Sequence, residues 1–454
     1  MNYNDFVREQ FDELGGSKVI DLLKSLENEK VLVYAHDDPD GLTSALLLTR
    51  LLDKLHIDYE LQIPPTMELE SGRLINDTKK EKYKAVFLLD KATMSYYNEY
   101  SQYVDNFVVI DHHPLDGKFP EKLTVINPQA GKTYKSCSAS FLVHMMSEYL
   151  GKNEIYDDFL ALLGLKGDWA VEPATDVVSE YVRQFYSNRV EQNLVNFIRK
   201  IDSTATMFEV RQTEVTTLLN QITELVFALG GGGFGYFYND RDEELKNIDQ
   251  RLFAYEVLKK FAGNFQKTEI SSLDDFIDMT FEPEIVRKIM SYYREDWKKT
   301  LNRFSESVLC SSIGETDIFL FIGSDVKLMP MAGSVYLNQL KRVSGEREVL
   351  FAMINAENGG GIHVSLRATS NRLHCGKICS NLAKRLVASY NHKDHITGGG
   401  HPFAAECRTR QSGVDLSQLL DTLSKLVKDM ETAGISGENG TSEELGLDYL
   451  VVKR

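Results

Sequence analysis

Short apolar runs alternate with stretches of helical periodicity over residues 1–180. Four of these runs predict strands: VLVYA (31–35), KAVFLLD (84–90), FVVID (107–111) and LTVINP (123–128). Helical spacing predicts helices at 41–55 and, with a serine cap, at 136–150. Strands separated by helices indicate a mostly parallel sheet with both faces covered.

The pattern changes between about residues 180 and 300, where helical stretches dominate. Long helical stretches are predicted over 179–201 and 241–265, with GGGGFG (230–235) between them as a loop. The loop is a weak candidate for a phosphate-binding loop, because no apolar strand precedes it and no Gly-Lys-Ser/Thr follows it.

A second mixed region begins near residue 301. The sequence predicts a strand at 316–325, a hairpin at 348–369, a helix at 375–390, and a glycine loop followed by a strand within 395–410. The fold class is therefore α/β: a parallel-sheet domain, a helical insert and a smaller mixed α/β domain. The predicted boundaries are 1–180, 181–300 and 301–432, with a linker and tail at 433–454.

Composition and charge restrict the class of protein. A chain of 454 residues with 43% hydrophobic residues is globular and long enough for two or three domains. A net charge of −16 argues against a protein that coats nucleic acid non-specifically. The N-terminus lacks an apolar signal core, and no run approaches the ~20 apolar residues that span a bilayer. Five cysteines without a CxxC pair indicate reduced thiols and a cytoplasmic location.

Aspartates and histidines follow the predicted strands at their carboxyl ends, which meet at one edge of a parallel sheet. Together with an aspartate after the apolar stretch DFLALLGL, they are His36, Asp38, Asp40, Asp90, Asp111, His112, His113 and Asp168. Asp37 is assigned to the turn. Imidazole and carboxylate ligands suit Mn²⁺, Mg²⁺ or Zn²⁺. So many carboxylates would repel one another without cations, and a pair of divalent ions would relieve this and steady a phosphoryl group.

These motifs, in this order, resemble those of a known family. HDDPDG, LLD, DHH and GLKGD resemble the four motifs of the DHH phosphoesterase superfamily, and GGGH at 398–401 resembles the substrate motif of the DHH-associated C-terminal domain. The HxDxDG form of the first motif is similar to that of the RecJ branch. Length and organisation resemble the shorter archaeal RecJ-like proteins.

The resemblance implies roles for individual residues. The implied ligands of two Mn²⁺ or Mg²⁺ ions are His36, Asp38, Asp40, Asp90, His112 and Asp168, with Asp90 as the bridging carboxylate. Asp111 and His113 are the implied catalytic residues: they orient a ligand or face the phosphate, and His113 could donate to a substrate oxygen or to the leaving group. His112 and His113 could also exchange roles, because adjacent side chains after a strand point in different directions. The implied substrate-binding residues are Arg367, Gly398, Gly399, Gly400 and His401. Glu406 stands where the family often has glycine.

Three functions are compatible with this pattern. The favoured one is a RecJ-like exonuclease that hydrolyses single-stranded DNA or RNA from an end, in replication, repair or RNA processing, with Phe234, Tyr236 and Phe237 as candidate stacking residues. The second is a phosphodiesterase or phosphatase for short oligonucleotides, cyclic dinucleotides or a nucleotide bisphosphate. The third is a replisome scaffold bound to a GINS-type complex. LDYLVVKR (447–454) is interpreted as a final strand, or else as a docking peptide. Cleavage polarity stays open.

Overall fold

The chain forms two compact units. A computed structural model describes residues 3–115, 118–130, 134–202, 207–208, 215–265, 270–390, 395–410 and 413–434. Unit 1 contains Met1–Met207 and Gln212–Ser291, and unit 2 contains Tyr292–Glu443. The four-part division predicted from the sequence stays a prediction.

Unit 1 is built on a five-stranded sheet. Its strands are β1 (Lys30–Ala35), β2 (Asp58–Gln62), β3 (Ala85–Leu89), β4 (Phe107–Ile110) and β5 (Thr124–Ile126). Their order is β2-β1-β3-β4-β5, and every neighbouring pair is parallel. The predicted parallel sheet is confirmed. All residues of β3 and β4 are buried, which explains why these strands are continuous apolar runs.

The edge strand β2 was not predicted from the sequence. Its residues, DYELQ, are partly exposed and carry two acidic side chains, so they lack the apolar run of a central strand. Backbone pairing with β1, from Lys30 with Asp58 to Tyr34 with Gln62, holds this segment extended.

Helices pack on the sheet and on one another. They are α1 (Tyr3–Glu13), α2 (Gly16–Ser25), α3 (Pro39–Lys54), α4 (Ser71–Lys80), α5 (Ala139–Tyr149) and α6 (Ile155–Gly167). The serine cap predicted for α5 is confirmed, since Ser138 accepts a hydrogen bond from the backbone N–H of Phe141. Nearly all of α3, α5 and α6 is buried, so these three helices belong to the core of unit 1.

The remainder of unit 1 is made of short elements and four longer helices. They are β6 (Val171–Glu172), β7 (Val177–Val178), α7 (Arg183–Phe185), α8 (Glu191–Asn193), α9 (Val195–Ile198), β8 (Lys200–Asp202), β9 (Val215–Thr217), α10 (Leu218–Gly230), α11 (Gln250–Phe261), α12 (Leu273–Asp278) and α13 (Pro283–Arg303). The last of these crosses the division between the units at 291.

The helical stretch predicted over 179–201 is largely confirmed, because Glu180–Ile198 is almost entirely helical, but it is not one regular α-helix and it ends before β8. This segment contains 3₁₀, α and π turns in succession, with the π turn at Tyr186–Val190. The buried side chains of Val182, Phe185, Tyr186 and Val190 keep helical spacing, which is why the sequence pattern predicts a helix here. The prediction over 241–265 is only partly right, since α11 begins at Gln250. The glycine stretch is confirmed as a loop: it follows α10, whose cap Gly231 has a left-handed φ of 79°.

Unit 2 is a mixed sheet with helices. Its elements are β10 (Val308–Ile313), β11 (Thr316–Ser324), α14 (Met329–Ser344), β12 (Glu348–Ala356), β13 (Ile362–Ala368), α15 (Cys375–Tyr390), β14 (Thr397–Gly400), β15 (Ala404–Arg408) and α16 (Leu416–Gly434). The strand order is β10-β11-β12-β13-β15-β14. Within this sheet of the described residues, only β11 and β12 pair in parallel. The predicted hairpin and the mixed α/β class are confirmed.

Two further sequence predictions concern the glycine motif and the end of the chain. The glycine loop at 398–400 is instead the edge strand β14, paired with β15, because glycine backbones satisfy the pairing without side chains. The tail, including LDYLVVKR, lies outside the described residues. Across the described ranges, every helix is too short or too polar to cross a bilayer.

Candidate metal centre

The predicted ligands of unit 1 meet at the carboxyl ends of β1, β3 and β4. His36, Asp38 and Asp40 follow β1, Asp90 follows β3, and Asp111 to His113 follow β4, while Asp168 caps the C-terminus of α6. Parallel strands bring these ends to one edge, where ligand sites of open α/β sheets lie.

The turn after β1 places two carboxylates by local geometry. Asp38 is the N-cap of α3 and accepts a hydrogen bond of 2.9 Å from the N–H of Gly41, and Pro39 occupies the first turn. A Cβ on Gly41 would lie 2.4 Å from the carbonyl oxygen of His36. Only glycine therefore lets the chain turn tightly enough to bury Asp40 completely.

Asp40 sits on the N-terminus of α5. Its two carboxylate oxygens accept hydrogen bonds from the backbone N–H groups of Ala139, at 2.6 Å, and Ser140, at 2.8 Å. The start of a helix favours negative charge. This contact fixes the carboxylate beside His112, whose Nε2 is 3.7 Å from Asp40 Oδ2.

Asp90 is the central residue of the cluster. Its Oδ2 is 3.6 Å from His36 Nδ1, and its Oδ1 is 3.4 Å from His112 Nε2 and 3.5 Å from His113 Nδ1. Neither oxygen has a hydrogen-bond partner among the described residues, although the side chain is 1% exposed. The backbone is left-handed here, with φ of 54°, which is uncommon for a residue other than glycine. The two oxygens of one carboxylate therefore face two different groups of ligand atoms.

Three overlapping groups could each hold a divalent cation, with all ligand atoms of a group within 4.8 Å of one another. They are His36–Asp38–Asp90, Asp90–His112–His113 and Asp40–His112–Asp168. A buried polar atom normally has a partner. Among the described residues of these groups, the buried atoms without one are His36 Nδ1, both oxygens of Asp90, both ring nitrogens of His112 and Asp168 Oδ2. Nitrogen and oxygen donors without thiolates fit Mn²⁺ or Mg²⁺.

The electrostatics of the cluster also favour bound cations. Burial and the carboxylate of Asp90 raise the pKa of Asp38 to about 6, and burial with Asp168 raises the pKa of Asp40 well above its usual range. Burial alone would lower the pKa of His112, yet Asp168 and Asp90 raise it well above its ordinary value. Without cations, protons on the imidazoles thus offset the negative charge of the carboxylates. Bound cations would offset this charge in their place.

Addition of Mn²⁺ is expected to raise the melting temperature. A ligand at 100 times its Kd stabilises the folded state by about 2.7 kcal/mol, which corresponds to a shift of about 5 °C for a unit of this size. Thermal melts with and without Mn²⁺ measure the shift, and Asp90→Asn is the control. An equal shift in wild type and variant would contradict the assignment of Asp90 as a ligand.

His113 is held differently from His112. Its Nδ1 is 2.9 Å from Asp111 Oδ1, and Asp111 Oδ2 accepts hydrogen bonds from the hydroxyl of Thr93 and the amide of Asn127. Asp111 is fully buried, whereas the His113 side chain is 26% exposed. Asp111 therefore orients His113, as a carboxylate commonly orients an imidazole. This arrangement favours His112 as the inner ligand and leaves His113 facing solvent.

Sequence reasoning missed several residues around the cluster. Asp37, assigned to the turn, is 1% exposed and pairs with Arg251 at 2.8 Å. Lys91 is fully buried, and burial lowers its pKa to about 8. Lys166 and Glu172 form a buried ion pair of 2.7 Å. No local pattern marks these residues, although a lysine inside an apolar helix, as in LALLGLKG, is a usable indication of a buried partner.

The predicted substrate-binding residues lie in unit 2. Arg367 on β13 is 7% exposed; its Nη1 is 2.8 Å from Glu406 Oε1, and its Nε donates to the hydroxyl of Ser334. Glu406 also accepts from Ser365 and lies 2.6 Å from His363 Nε2. The guanidinium is thus already paired with a carboxylate of the chain. The assignment of Arg367 to a substrate phosphate stays a prediction.

The glycine motif adjoins the start of α15. The N–H of His401 donates to the carbonyl of Ala404, and the carbonyl of His401 accepts from the N–H of Gly376. A Cβ on Gly376 would lie 2.1 Å from the carbonyl oxygen of Gly400, so strand and helix are in close contact. A Cβ on Gly399 would meet nothing within 4 Å. The strand therefore has an open position for a ligand at Gly399, and its role in substrate binding stays a prediction.

Glu406→Gln is expected to destabilise the protein by about 1–3 kcal/mol at pH 7, because a buried cation loses its anion. Burial acts to raise the pKa of Glu406, but Arg367 and His363 hold it below its usual value. The stabilisation is therefore present above the unfolded pKa of about 4.3 and is lost as the pH falls through the lower folded pKa. Denaturant unfolding from pH 3 to pH 7 measures this.

The exposed Glu315, paired with Arg372, provides the matched control. Glu315→Gln is expected to change the free energy of unfolding by less than about 0.5 kcal/mol. A wild-type minus Glu406→Gln difference that stays constant from pH 7 to pH 3 would contradict the role of the ionised carboxylate.

The fold and cluster define an α/β protein with a candidate divalent-metal centre at the edge of a parallel sheet. Residues 30–165 match the N-terminal domain of the DHH family. This part of the chain is a DHH-family domain, the domain type of a phosphoesterase superfamily, and the resemblance predicted from the four motifs is confirmed. A search of curated proteins gave no significant match.

Solved structures show that the fold extends beyond this domain and is RecJ-like. An exonuclease RecJ bound to manganese superposes with a TM-score of 0.53 at 14% identity, covering 95% of this chain and 97% of that one. The DHH domain of a protein assigned to a family of ribosomal proteins gives 0.53 at 16%, covering 93% and 92%. RecJ from Thermus thermophilus with Mn²⁺ gives 0.53 at 14%, covering 93% of this chain but only 55% of that protein, so this chain spans about half its length.

Proposed function

We propose that the chain is a metal-dependent phosphodiesterase that removes nucleotides from an end of single-stranded DNA or RNA. The observation that carries the proposal is the position of Asp90, whose two oxygens lack hydrogen-bond partners among the described residues and face separate groups of ligand atoms. A carboxylate that faces two cation sites is the arrangement that a two-metal phosphoryl-transfer centre needs.

The three ligand groups suggest a role for each residue of the turn and the strand ends. His36 and Asp38 would hold one cation and Asp40, His112 and Asp168 the other, with Asp90 between them. Bound Mn²⁺ or Mg²⁺ ions supply Lewis-acid stabilisation of phosphoryl charge and acidify water. The carboxylates and imidazoles that would hold the cations are buried, so their positions are fixed before substrate binds.

His113 is the candidate proton donor. Asp111 holds the ring through Nδ1, and the side chain is 26% exposed, so Nε2 is the nitrogen left for a substrate oxygen. Although burial and His112 act to lower it, the carboxylates of Asp111 and Asp90 raise the pKa of His113. A protonated imidazole beside a leaving oxygen transfers a proton to it as the ester bond breaks.

A nucleic-acid substrate is supported by aromatic side chains beside the cluster. A Cβ on Gly233 would lie 2.9 Å from His36 Cε1, so the glycine loop adjoins the ligands. The next residue is Phe234, which is partly exposed, and its ring stacks on the buried ring of Tyr236 with centroids 5.7 Å apart. Bases stack on such rings, and the net charge of −16 requires that binding be local.

The test uses end-labelled single strands of about 20 nucleotides, as DNA and as RNA, and dinucleotides, each with Mn²⁺ or with EDTA. A metal-dependent ladder that Asp90→Asn abolishes is expected, and the labelled end then gives the polarity. Endonucleolytic fragments without a ladder would contradict cleavage from an end.

A small-substrate phosphodiesterase is the second candidate. The net charge of −16 favours it, because an acidic surface repels a long polyanion more than a dinucleotide. Hydrolysis of dinucleotides with no hydrolysis of the long strands would establish this candidate. Binding of Mn²⁺ without hydrolysis of any substrate would favour the scaffold function instead.

A further inference from the structure

We propose that Asp37 and Arg251 are a positioning pair that sets the tautomer of His36 and so the affinity of the centre for its cation. The inference rests on the proposed metal-dependent function and adds to it two residues that belong to none of the three ligand groups. Through this pair, the helical segment that contains α11 contributes to metal binding at the centre.

The pair forms a chain of contacts that ends on a ligand. Asp37 Oδ2 accepts a hydrogen bond from Arg251 Nε at 2.8 Å, and Asp37 Oδ1 lies 3.6 Å from His36 Nε2. The Asp37 side chain is 1% exposed, and its Oδ1 has no hydrogen-bond partner among the described residues. A buried carboxylate therefore faces the nitrogen of His36 that points away from the cluster.

The other nitrogen of His36 points into the cluster. Its Nδ1 is 3.1 Å from Asp38 Oδ2 and 3.6 Å from Asp90 Oδ2. An imidazole binds a cation only through an unprotonated nitrogen, so its proton must lie on the other one. A carboxylate facing Nε2 favours a proton there and leaves the lone pair of Nδ1 for the cation.

The location of Arg251 indicates a tertiary role. It lies in the first turn of α11, after the N-cap Asp249, where the helix dipole disfavours a cation. Its guanidinium lies 4.3 Å from the centroid of Phe237 and is 18% exposed at the side chain. The contact with Asp37 offsets the unfavourable interaction of this cation with the helix dipole, and the ring of Phe237 fixes the direction of the guanidinium.

The backbone of the same segment fits closely against the first ligand turn. A Cβ on Gly230 would lie 2.3 Å from the carbonyl oxygen of Asp37. Asp37 is thus confined by backbone on one side and by Arg251 on the other, and its carboxylate has little freedom to leave His36.

The experiment measures Mn²⁺ affinity without substrate, from the electron paramagnetic resonance signal of free Mn²⁺. Arg251→Met and Asp37→Asn are each expected to weaken binding by about 10–100-fold, the double variant no more than either single one, and Arg251→Lys less than Arg251→Met. Arg287, an exposed arginine of the same unit paired with Asp278 and Glu284, gives the control Arg287→Met, with unchanged affinity.

A second measurement reports the tautomer directly in the wild-type protein. In ¹⁵N-histidine wild-type protein loaded with diamagnetic Mg²⁺, the His36 signals are identified by their loss in His36→Gln. A proton on Nε2 is expected, and a proton on Nδ1 would overturn the inference. So would affinities of Arg251→Met and Asp37→Asn within twofold of wild type. If wild-type protein binds no Mn²⁺, the proposed function fails instead.

Discussion

Asp90→Asn is expected to lower metal-dependent hydrolysis by about 10³-fold or more while the fold is retained. The substitution removes the charge that both ligand groups share, and with it several kcal/mol of transition-state stabilisation, at about 1.36 kcal/mol per factor of ten. Asparagine is preferable to alanine because it tolerates the left-handed backbone at φ of 54°.

The measurement is kcat/KM on the substrate that wild-type protein cleaves, at several Mn²⁺ concentrations. Circular dichroism and melting without metal report the fold. Asp21, an exposed aspartate paired with Lys24 on α2, gives the matched control Asp21→Asn with wild-type activity. Activity of Asp90→Asn within tenfold of wild type at limiting Mn²⁺ would remove Asp90 from the centre.

Lys166→Met is expected to destabilise the protein by about 3–5 kcal/mol, because it leaves the buried carboxylate of Glu172 without a cation. The lysine side chain is 0% exposed and its partner 2%, and the ammonium lies 3.5 Å from the centroid of the Trp169 ring. Glu172 also accepts hydrogen bonds from the amide of Asn220 and the N–H of Ala174. One ion pair therefore joins α6, β6 and α10 beside Asp168.

Denaturant unfolding of unit 1 measures this effect, with a double-mutant cycle. Lys166→Met with Glu172→Gln removes both charges but keeps an acceptor for Asn220, and it is expected to recover part of the loss. Lys246, paired with Glu243 at the surface, is the control, with a change below about 0.5 kcal/mol. A loss for Lys166→Met of less than about 1 kcal/mol, the range of a surface pair, would show that the pair is not tightly coupled.

The central strands and most of the residues that meet in the cluster could be predicted from the sequence because local patterns encode them. Buried parallel strands are continuous apolar runs, and the aspartates and histidines that follow β1, β3 and β4 stand out against those runs. The edge strand β2 could not be predicted, since its polar residues become a strand only by pairing with β1. Likewise Thr397–Gly400 is extended through its pairing with β15 rather than by its own propensity.

The orientation of each side chain in the cluster could not be predicted from the motifs. The sequence gives no reason to prefer His112 or its neighbour His113 as the candidate metal ligand. The structure separates them, because Asp111, Thr93 and Asn127 hold His113 while His112 faces three carboxylates. The partners of Arg367 were also unforeseen, since its ion pair with Glu406 depends on the register of β13 against β15.

The sequence by itself determined the fold class, the order of the motifs that follow the central strands and the residue types of the cluster, because apolar runs and the aspartates and histidines after them are local properties of the chain. The tertiary structure alone decided which charges are neutralised and by which partners. Asp37 and Arg251 are 214 positions apart, and Lys166 meets Asn220 only through Glu172. Such pairs form because burial makes an unpaired charge costly, and burial is a property of the folded chain.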